Sequence, residues 1–295
     1  EYLIGPSIVC AGTELHYLYP GENPWLETTV KKLADKSHFP TPSIAIVQDE
    51  TPNAFIFGRT AKSATLAINS GLLKQLNQSE VEGVIGHELG HLNHKDYLVM
   101  TALAAVPLLA YLIARLSFDA MRYGRFRGRG KGAGLVWATI IVSAAISYVA
   151  YLVAQLCVMR LSRLRENYAD AYSAYLTNQP RELESALTKI SYGLSLSPNP
   201  PHGARTLFIS DPALAKQECQ DILCNKEEYD LDKDGVLNER ELELAMEKEA
   251  KNTWMKINNL FATHPPTYKR ILLLREIDKE MQSGKFDVDN VYMHI

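Results

Sequence analysis

A run of about 27 uncharged residues, from Ala133 to Met159, constrains the fold of this chain more than any other stretch. An apolar segment of this length crosses a bilayer as a helix even when it is tilted. A second apolar run of about 17 residues, from Leu98 to Ala114, lies at the lower limit for a crossing. The loop between the runs carries Lys and Arg among glycines, as solvated loops beside membranes do. We therefore predict a transmembrane helical hairpin, with a buried hairpin in a soluble core as the alternative.

Length and composition narrow the class of protein. The chain has 295 residues, enough for one or two domains, and its net charge of −3 does not indicate nucleic acid as a partner. Its four cysteines are too few and too irregularly spaced for a disulfide framework. Because the chain begins at Glu1 and residues 1–12 include an apolar stretch, we expect a hydrophobic segment upstream.

The string VIGHELGH at residues 84–91 is the metal-binding motif of the chain. Its four-residue spacing puts His87 and His91 on one face of a helix, within reach of a single metal ion. Glu88 lies one step around the helix, where a carboxylate can hold a metal-bound water. This His-Glu-x-x-His pattern is typical of zinc peptidases, and a pair of solvated histidines is the alternative. We predict Zn²⁺ on His87 and His91, with Glu88 as the general base.

A third ligand must come from elsewhere, because catalytic zinc takes three protein ligands and a water. Tyr97 occupies the place where the related motif with a third histidine, six residues after the second, would have that ligand. Glu166 lies seven residues after the second apolar run, as His91 lies seven before the first, so in a hairpin both stand roughly 10 Å above the same membrane face. We predict Glu166 as the third ligand, with a surface glutamate as the alternative. Asp170, one turn on, is placed to orient a ligand imidazole through a hydrogen bond.

Two further groups of residues are candidates for the reaction itself. His264 precedes two prolines that would fix its loop, and we predict it as a donor to the oxyanion. Tyr168 is a weaker candidate for that role, and a packed loop histidine is the alternative for His264. The strand that begins at Ala54 can bind an extended peptide by strand addition. We therefore predict substrate contacts at Asn53, Ala54 and Phe55.

An acidic loop at residues 230–241, DLDKDGVLNERE, matches an EF-hand at the positions that bind calcium. The predicted Ca²⁺ ligands are Asp230, Asp232, Asp234, Val236, Asn238 and Glu241. EF-hands usually occur in pairs, and the sequence has no second loop of this kind, so this one would be weak, structural or paired across a dimer. An acidic surface loop with a helix cap is the alternative. We hypothesise that bound Ca²⁺ orders the insertion near the active site.

Local patterns predict an α+β fold that is mainly helical, with a small β-sheet before the metal helix. The predicted strands are 43–47, 54–58 and 64–69, and the predicted helices outside the metal motif and the apolar runs are 23–37, 71–76, 181–192 and 267–281. Ser79 and Glu82 fit a capping box at the start of the metal helix. We expect five segments: 1–97 with the sheet and metal helix, 98–159 with the hairpin, 160–211 with the third ligand, 212–259 with the EF-hand-like insertion, and 260–295 as a C-terminal peptidase segment.

These motifs resemble those of the HtpX-type membrane zinc metalloproteases, which share a peptidase family with the CAAX prenyl endopeptidases. The matching motifs cover about residues 25–192 and 260–275 in the family's order, and are Pro52-Asn53-Ala54-Phe55 with Gly58, Gly71-Leu72-Leu73, Glu82-Gly83-Val84, His87 to His91, Asp96, Arg165-Glu166, Ala169-Asp170, Thr263-His264-Pro265-Pro266 and Arg270-Ile271. The resemblance implies a gluzincin-like fold, with zinc on His87, His91 and Glu166. It also implies Glu88 as the base and the cleavage of misfolded or short-lived membrane proteins. The EF-hand-like insertion departs from the family.

We thus expect a membrane-bound zinc endopeptidase, multi-pass in the cell membrane, that acts on membrane or misfolded proteins. The count of Lys and Arg at the helix ends leans slightly towards an external catalytic face, whereas the resemblance implies the cytoplasmic one, which we adopt. One alternative is a calcium-responsive membrane scaffold without turnover, although the intact Glu88 favours an enzyme. A prenyl-protein endopeptidase fits less well, because those enzymes have more membrane helices than this chain supplies.

Overall fold

The computed structural model describes residues 14–58, 60–123, 133–196, 209, 231, 262 and 264–286. The chain divides into two units: the larger joins Glu1–Tyr97 to Ser162–Ile295, and the smaller is Leu98–Leu161. The predicted calcium ligands all lie outside the described residues, namely Asp230, Asp232, Asp234, Val236, Asn238 and Glu241.

The described residues form one four-stranded sheet and seven α-helices, so the fold is α+β and mainly helical. The strands are β1 (Leu15–Tyr17), β2 (Ser43–Val47), β3 (Ala54–Phe57) and β4 (Thr65–Asn69). The helices are α1 (Pro24–Lys36), α2 (Ser70–Gln75), α3 (Gln78–Asn93), α4 (Asp96–Tyr123), α5 (Ala133–Thr177), α6 (Pro180–Leu196) and α7 (Thr267–Gln282).

The sheet has the strand order β1-β2-β4-β3, which puts β3 at an edge. β2 and β4 run parallel, whereas β3 is antiparallel to β4, with Ile56 opposite Leu66. The sequence predicts β2, β3 and β4 to within a residue, because each is a short apolar run bounded by turn residues. β1 is only three residues long and carries no such signature, so the sequence does not predict it. The edge strand β3 packs directly on the metal-motif helix α3.

The start of α3 differs from the predicted capping box. Asn77 Oδ1 accepts from the Glu80 amide at 2.9 Å, and Glu80 Oε2 accepts from the Asn77 amide at 2.8 Å. Ser79 and Glu82 instead lie inside the helix. Two overlapping capping sequences compete here, and the box at Asn77 is favoured because Lys189 of α6 also binds the buried Glu80 carboxylate.

Two glycines of α3 bring that helix close to α5. A Cβ at Gly86 would lie 2.8 Å from Ser173 Oγ, and a Cβ at Gly90 would lie 2.9 Å from Ala169 Cα. Ordinary carbon contacts are about 3.5–4.0 Å long, so neither position has room for a side chain. The absence of side chains therefore lets the metal-motif helix approach the backbone of the helix that carries Glu166.

Both apolar runs are helical. Two segments, Leu98–Arg122 and Gly134–Thr177, are long and apolar enough to cross a membrane, and most of their apolar cores is exposed rather than buried in the protein. α4 continues beyond the end of the apolar run to Tyr123. α5 ends at Thr177, where Asn178 takes the left-handed conformation (φ 59°) that commonly terminates helices.

Candidate active site

The two motif histidines meet on one face of α3. The Nε2 atoms of His87 and His91 are 3.1 Å apart, which the i, i+4 spacing on a helix allows. His87 is fully buried and His91 is half-buried. Among the described residues, these imidazoles and the Glu88 carboxylate form a group whose ligand atoms lie within 4.8 Å of one another.

Glu166 reaches the same point from α5. Its Oε2 lies 3.5 Å from His87 Nε2, and its Oε1 lies 3.6 Å from His91 Nε2. Glu166 is buried, and Oε2 has no hydrogen-bond partner in the described part of the chain, although Arg270 Nη1 lies 3.7 Å from it. A buried carboxylate oxygen without a donor is costly, unless a cation binds there.

The spacing of these three side chains fits zinc. With metal–ligand distances of about 2.0–2.1 Å and tetrahedral angles, two ligand atoms of one Zn²⁺ are about 3.3 Å apart. The three separations observed between His87, His91 and Glu166 are 3.1, 3.5 and 3.6 Å. Two imidazoles and a carboxylate are also a donor set that catalytic zinc sites use.

A buried ion pair orients His87. Asp170 Oδ1 lies 2.8 Å from His87 Nδ1, and Arg270 binds the same carboxylate through two contacts of 2.7 and 2.6 Å. Arg270 is 1% exposed and also donates to the carbonyl of Ile209. Burial alone would lower the pKa of His87, but its contacts with the carboxylates of Asp170 and Glu166 outweigh burial and raise the pKa to about 9. The Asp170 contact leaves Nε2 of His87 facing Glu166 and His91.

His91 has a carboxylate partner of its own. Asp96 Oδ2 lies 2.6 Å from His91 Nδ1, and Asp96 Oδ1 lies 2.7 Å from Arg165 Nε. Burial alone would raise the pKa of Asp96, but its contacts with His91 and Arg165 outweigh burial and hold the pKa below the ordinary value.

Glu88 lies against the edge of the sheet. Its Oε2 accepts a hydrogen bond from the Ile56 amide of β3 at 2.9 Å. The carboxylate is 4% exposed, and burial raises its pKa above the ordinary value, although the two histidines act in the opposite direction. A raised pKa brings a carboxylate closer to the value that suits a general base near neutral pH.

His264 lies beside the third candidate ligand. Its Nε2 is 3.8 Å from Glu166 Oε1, and its side chain is buried. Arg163 of α5 donates to the carbonyl of Ala262 at 2.7 Å, which ties the loop before His264 to the helix that carries Glu166. Tyr168, the weaker candidate for the same role, packs against the ring of His94 at a centroid distance of 5.6 Å.

The family model for peptidase family M48 matches residues 20–278 of the chain. The chain belongs to peptidase family M48. It is 33% identical to the Protease HtpX homolog of Aeropyrum pernix over 93% of this chain and 81% of that protein. It is also 33% identical to the Protease HtpX homolog of Thermococcus sibiricus over 95% of this chain and 83% of that protein.

The fold likeness extends to a solved structure, that of S. mikatae Ste24p. The TM-score is 0.53 at 17% identity, over 92% of this chain and 54% of the other, so this chain spans about half the length of that protein. This likeness concerns the fold alone. The family and its HtpX relatives make the chain a membrane metalloprotease, and the family implies zinc as its metal.

In this M48 protein the residues predicted to bind substrate lie in or just before β3, the strand that contacts Glu88, but they are largely buried. Ala54 and Phe55 belong to β3 and are 1% and 8% exposed. Asn53 is 3% exposed, and its Oδ1 accepts from the amide of Ile209 at 3.2 Å. The side-chain amide of Asn53 therefore binds a distant part of the backbone in this structure.

Three M48 site residues acquire a role only from the structure. Asp96, Arg165 and Arg270 occur among the matching motifs, but the sequence reasoning gave them no function. Asp96 and Arg270 touch the imidazoles of His91 and His87, while Arg165 holds Asp96. Their burial explains the roles, because Asp and Arg side chains are seldom buried except as partners of one another or of other charged groups.

Proposed function

We propose that this metalloprotease cleaves peptide bonds of membrane or misfolded proteins, with Zn²⁺ held by His87, His91 and Glu166. The observation that carries the proposal is the meeting of three side chains: the two Nε2 atoms lie 3.1 Å apart, His87 Nε2 is 3.5 Å from Glu166 Oε2, and His91 Nε2 is 3.6 Å from Glu166 Oε1. A structural metal site would need no base beside it, but Glu88 is buried within the same group.

Zinc at such a site supplies a water of lowered pKa and polarises the scissile carbonyl. Glu88 takes the proton of the attacking water and returns it to the leaving amine. Its bond to the Ile56 amide holds the carboxylate in place beside β3. His264 lies on the Glu166 side of the site and is our candidate donor to the oxyanion.

We further propose that substrate binds as an extended strand along the outer edge of β3. Support comes from the position of β3 at the sheet edge and from its direct link to Glu88 through Ile56. A peptide added there would lie beside the general base. The buried side chains at the start of β3 would then hold the strand in position and would not contact substrate themselves. These residues are Asn53, Ala54 and Phe55.

The test is cleavage of casein or a model membrane protein by the detergent-purified chain, with zinc content measured on the same sample. Glu88→Gln should retain zinc and lose cleavage. Glu82→Gln is the matched control, because Glu82 lies on the same helix but pairs with Lys32 away from the metal group. Unchanged cleavage by Glu88→Gln would refute the mechanism, and a loss of cleavage in the control would point to the helix instead.

Two other functions are distinguished by the same preparation. Stoichiometric zinc without cleavage of any substrate would favour a calcium-responsive scaffold. Preferred cleavage of a farnesylated peptide over its unmodified form would favour a prenyl-protein endopeptidase. We favour the broader protease because the relatives that match most of this chain are named HtpX homologs.

We propose that the protein is a multi-pass protein of the cell membrane, with its catalytic face in the cytoplasm. The two apolar helices support the membrane location, and the HtpX resemblance supports the orientation. Because the chain has four native cysteines, including the exposed Cys157, these are replaced first, and a single cysteine is then introduced at Lys32 or at Lys74 for labelling. Labelling by an impermeant reagent in intact cells would contradict the proposed orientation.

We also propose that the EF-hand-like loop binds Ca²⁺, on the strength of its sequence alone. The experiment compares Ca²⁺ binding by the full chain and by Asp230→Ala. Asp35→Ala serves as the control, since Asp35 is an exposed carboxylate of α1. Equal Ca²⁺ binding by all three proteins would exclude the loop, and cleavage that does not respond to Ca²⁺ would exclude a regulatory role.

A further inference from the structure

The contact between His91 and Asp96 depends on an unusual turn between α3 and α4. The amides of His94 and Lys95 close α3 by donating to the carbonyls of Gly90 and Leu92. Lys95 then adopts a φ of 53°, which is rare for a residue with a Cβ. This left-handed residue lies between the end of α3 and Asp96, the first residue of α4, whose carboxylate lies against the imidazole of His91.

Each oxygen of the Asp96 carboxylate has a partner in this position. Its Oδ2 lies 2.6 Å from His91 Nδ1, while Arg165 Nε lies 2.7 Å from its Oδ1. Asp96 is 4% exposed, so water has little access to compete for either oxygen. Arg165 directly precedes Glu166 on α5, which places the cation that holds Asp96 next to the third candidate ligand.

The arrangement repeats the one at His87. Each motif histidine points Nδ1 at a buried aspartate, and each aspartate is held by an arginine from another helix: Asp170 by Arg270, and Asp96 by Arg165. An aspartate that accepts from Nδ1–H fixes the tautomer with its lone pair on Nε2 and makes that nitrogen a better metal ligand. The two Nε2 atoms, 3.1 Å apart, are the atoms that face each other.

We propose that Asp96 is a positioning residue of the active site, which holds His91 with Nε2 directed at the metal, and that Arg165 holds Asp96 in turn. This inference rests on the proposed zinc site. Loss of the Asp96 carboxylate should weaken zinc binding about 10–100-fold, the range typical of partners behind a metal ligand. Asparagine keeps a neutral acceptor at this position, so Asp96→Asn should lie between the parent chain and Asp96→Ala.

The experiment measures zinc dissociation from the full, detergent-purified chain into a chromogenic chelator, with the visible spectrum of the Co²⁺-substituted protein as a second readout. Asp278→Asn is the matched control, because Asp278 is also a buried aspartate held by an arginine, Arg181 at 2.8 Å, but contacts no histidine of the site. Both Asp96 variants should release zinc faster than the parent chain and alter the Co²⁺ spectrum. The release should be fastest from Asp96→Ala and intermediate from Asp96→Asn. Asp278→Asn should lower the thermal midpoint while leaving both metal readouts unchanged.

The outcomes separate this inference from the zinc site itself. His91→Ala should abolish stoichiometric zinc binding, and retention of zinc in that variant would overturn the proposed metal site. Loss of zinc in His91→Ala with parental zinc release in Asp96→Ala would overturn the role of Asp96 alone. Equal acceleration by Asp96→Asn and Asp278→Asn would also overturn it, since general destabilisation would then explain the loss. Arg165→Gln, which leaves the His91–Asp96 contact intact, should show a smaller acceleration than Asp96→Ala.

Discussion

The contact between Gly90 and Ala169 sets the distance between the histidine helix and the Glu166 helix, and Gly90→Ala tests this directly. The new Cβ would lie 2.9 Å from Ala169 Cα, whereas carbon contacts need about 3.5 Å, so the helices must separate by about 0.6 Å. Metal ligands tolerate displacements of about 0.2 Å. The change therefore exceeds the tolerance about threefold, and we expect zinc affinity to fall at least about tenfold.

Stability should respond differently from zinc affinity. Alanine in place of glycine favours a helix by about 1 kcal/mol, while overpacking costs about 1–3 kcal/mol, so the net loss in unfolding free energy is about 0–2 kcal/mol. Gly83→Ala is the matched control. Its Cβ would meet the backbone of Leu183 on α6 at 3.2 Å, and α6 carries none of the candidate ligands. Chelator competition and thermal unfolding on both variants provide the assay.

Gly90→Ala must lose zinc affinity out of proportion to its stability, and Gly83→Ala must not. Parental zinc affinity in Gly90→Ala would show that the spacing of α3 and α5 does not set the ligand geometry. Equal loss of zinc affinity in both variants would show that any overpacking of α3 disturbs the site.

Further predictions concern charge and backbone strain. Because the pKa of His87 is about 9 without metal, zinc uptake at pH 7 should release a proton from its imidazole, which calorimetry in buffers of different ionisation enthalpy would detect. The zinc affinity should rise about tenfold per pH unit up to about pH 9. Arg270→Leu leaves Asp170 buried without its cation and should cost about 3–5 kcal/mol in chemical unfolding, far more than an exposed Arg→Leu change. Lys95→Gly relieves a left-handed residue and should raise the unfolding free energy by about 1 kcal/mol, with zinc retention unchanged. Burial alone would raise the pKa of Glu80, but the hydrogen bonds to its carboxylate lower the pKa overall. The stabilisation that the ionised Glu80 provides is therefore present above the ordinary carboxyl pKa and is lost as the pH falls. Between about pH 5 and 3, Glu80→Gln should lose less stability than the parent chain.

Local geometry explains which parts of the site the sequence predicts. The spacing of His87 and His91 is a property of any helix, so their meeting at Nε2 follows from the string itself. Placing Glu166 needed one more step, the matched distances from two apolar runs. The structure brings all three together, and it also places Asp170 against His87.

Long-range contacts explain what the sequence does not predict. Arg270 meets Asp170 across 100 residues of chain, and no local pattern identifies which of many arginines will be buried. The choice of Asn77 over Ser79 as the cap of α3 likewise depends on Lys189 of another helix. The extension of α4 to Tyr123 shows a further limit, because hydropathy marks where a helix can enter a membrane and not where its backbone hydrogen bonds stop.

The order in which the site residues occur along the chain has a consequence for biosynthesis. His87 and Arg270, which binds the aspartate that contacts His87, are separated by 183 residues. Asp170 would be buried without its cation until Arg270 has left the ribosome, which disfavours the final packing of the site until then. Synthesis itself thus delays the formation of a working hydrolase until Arg270 has been made, and a nascent chain or a fragment that ends before this residue should be proteolytically silent.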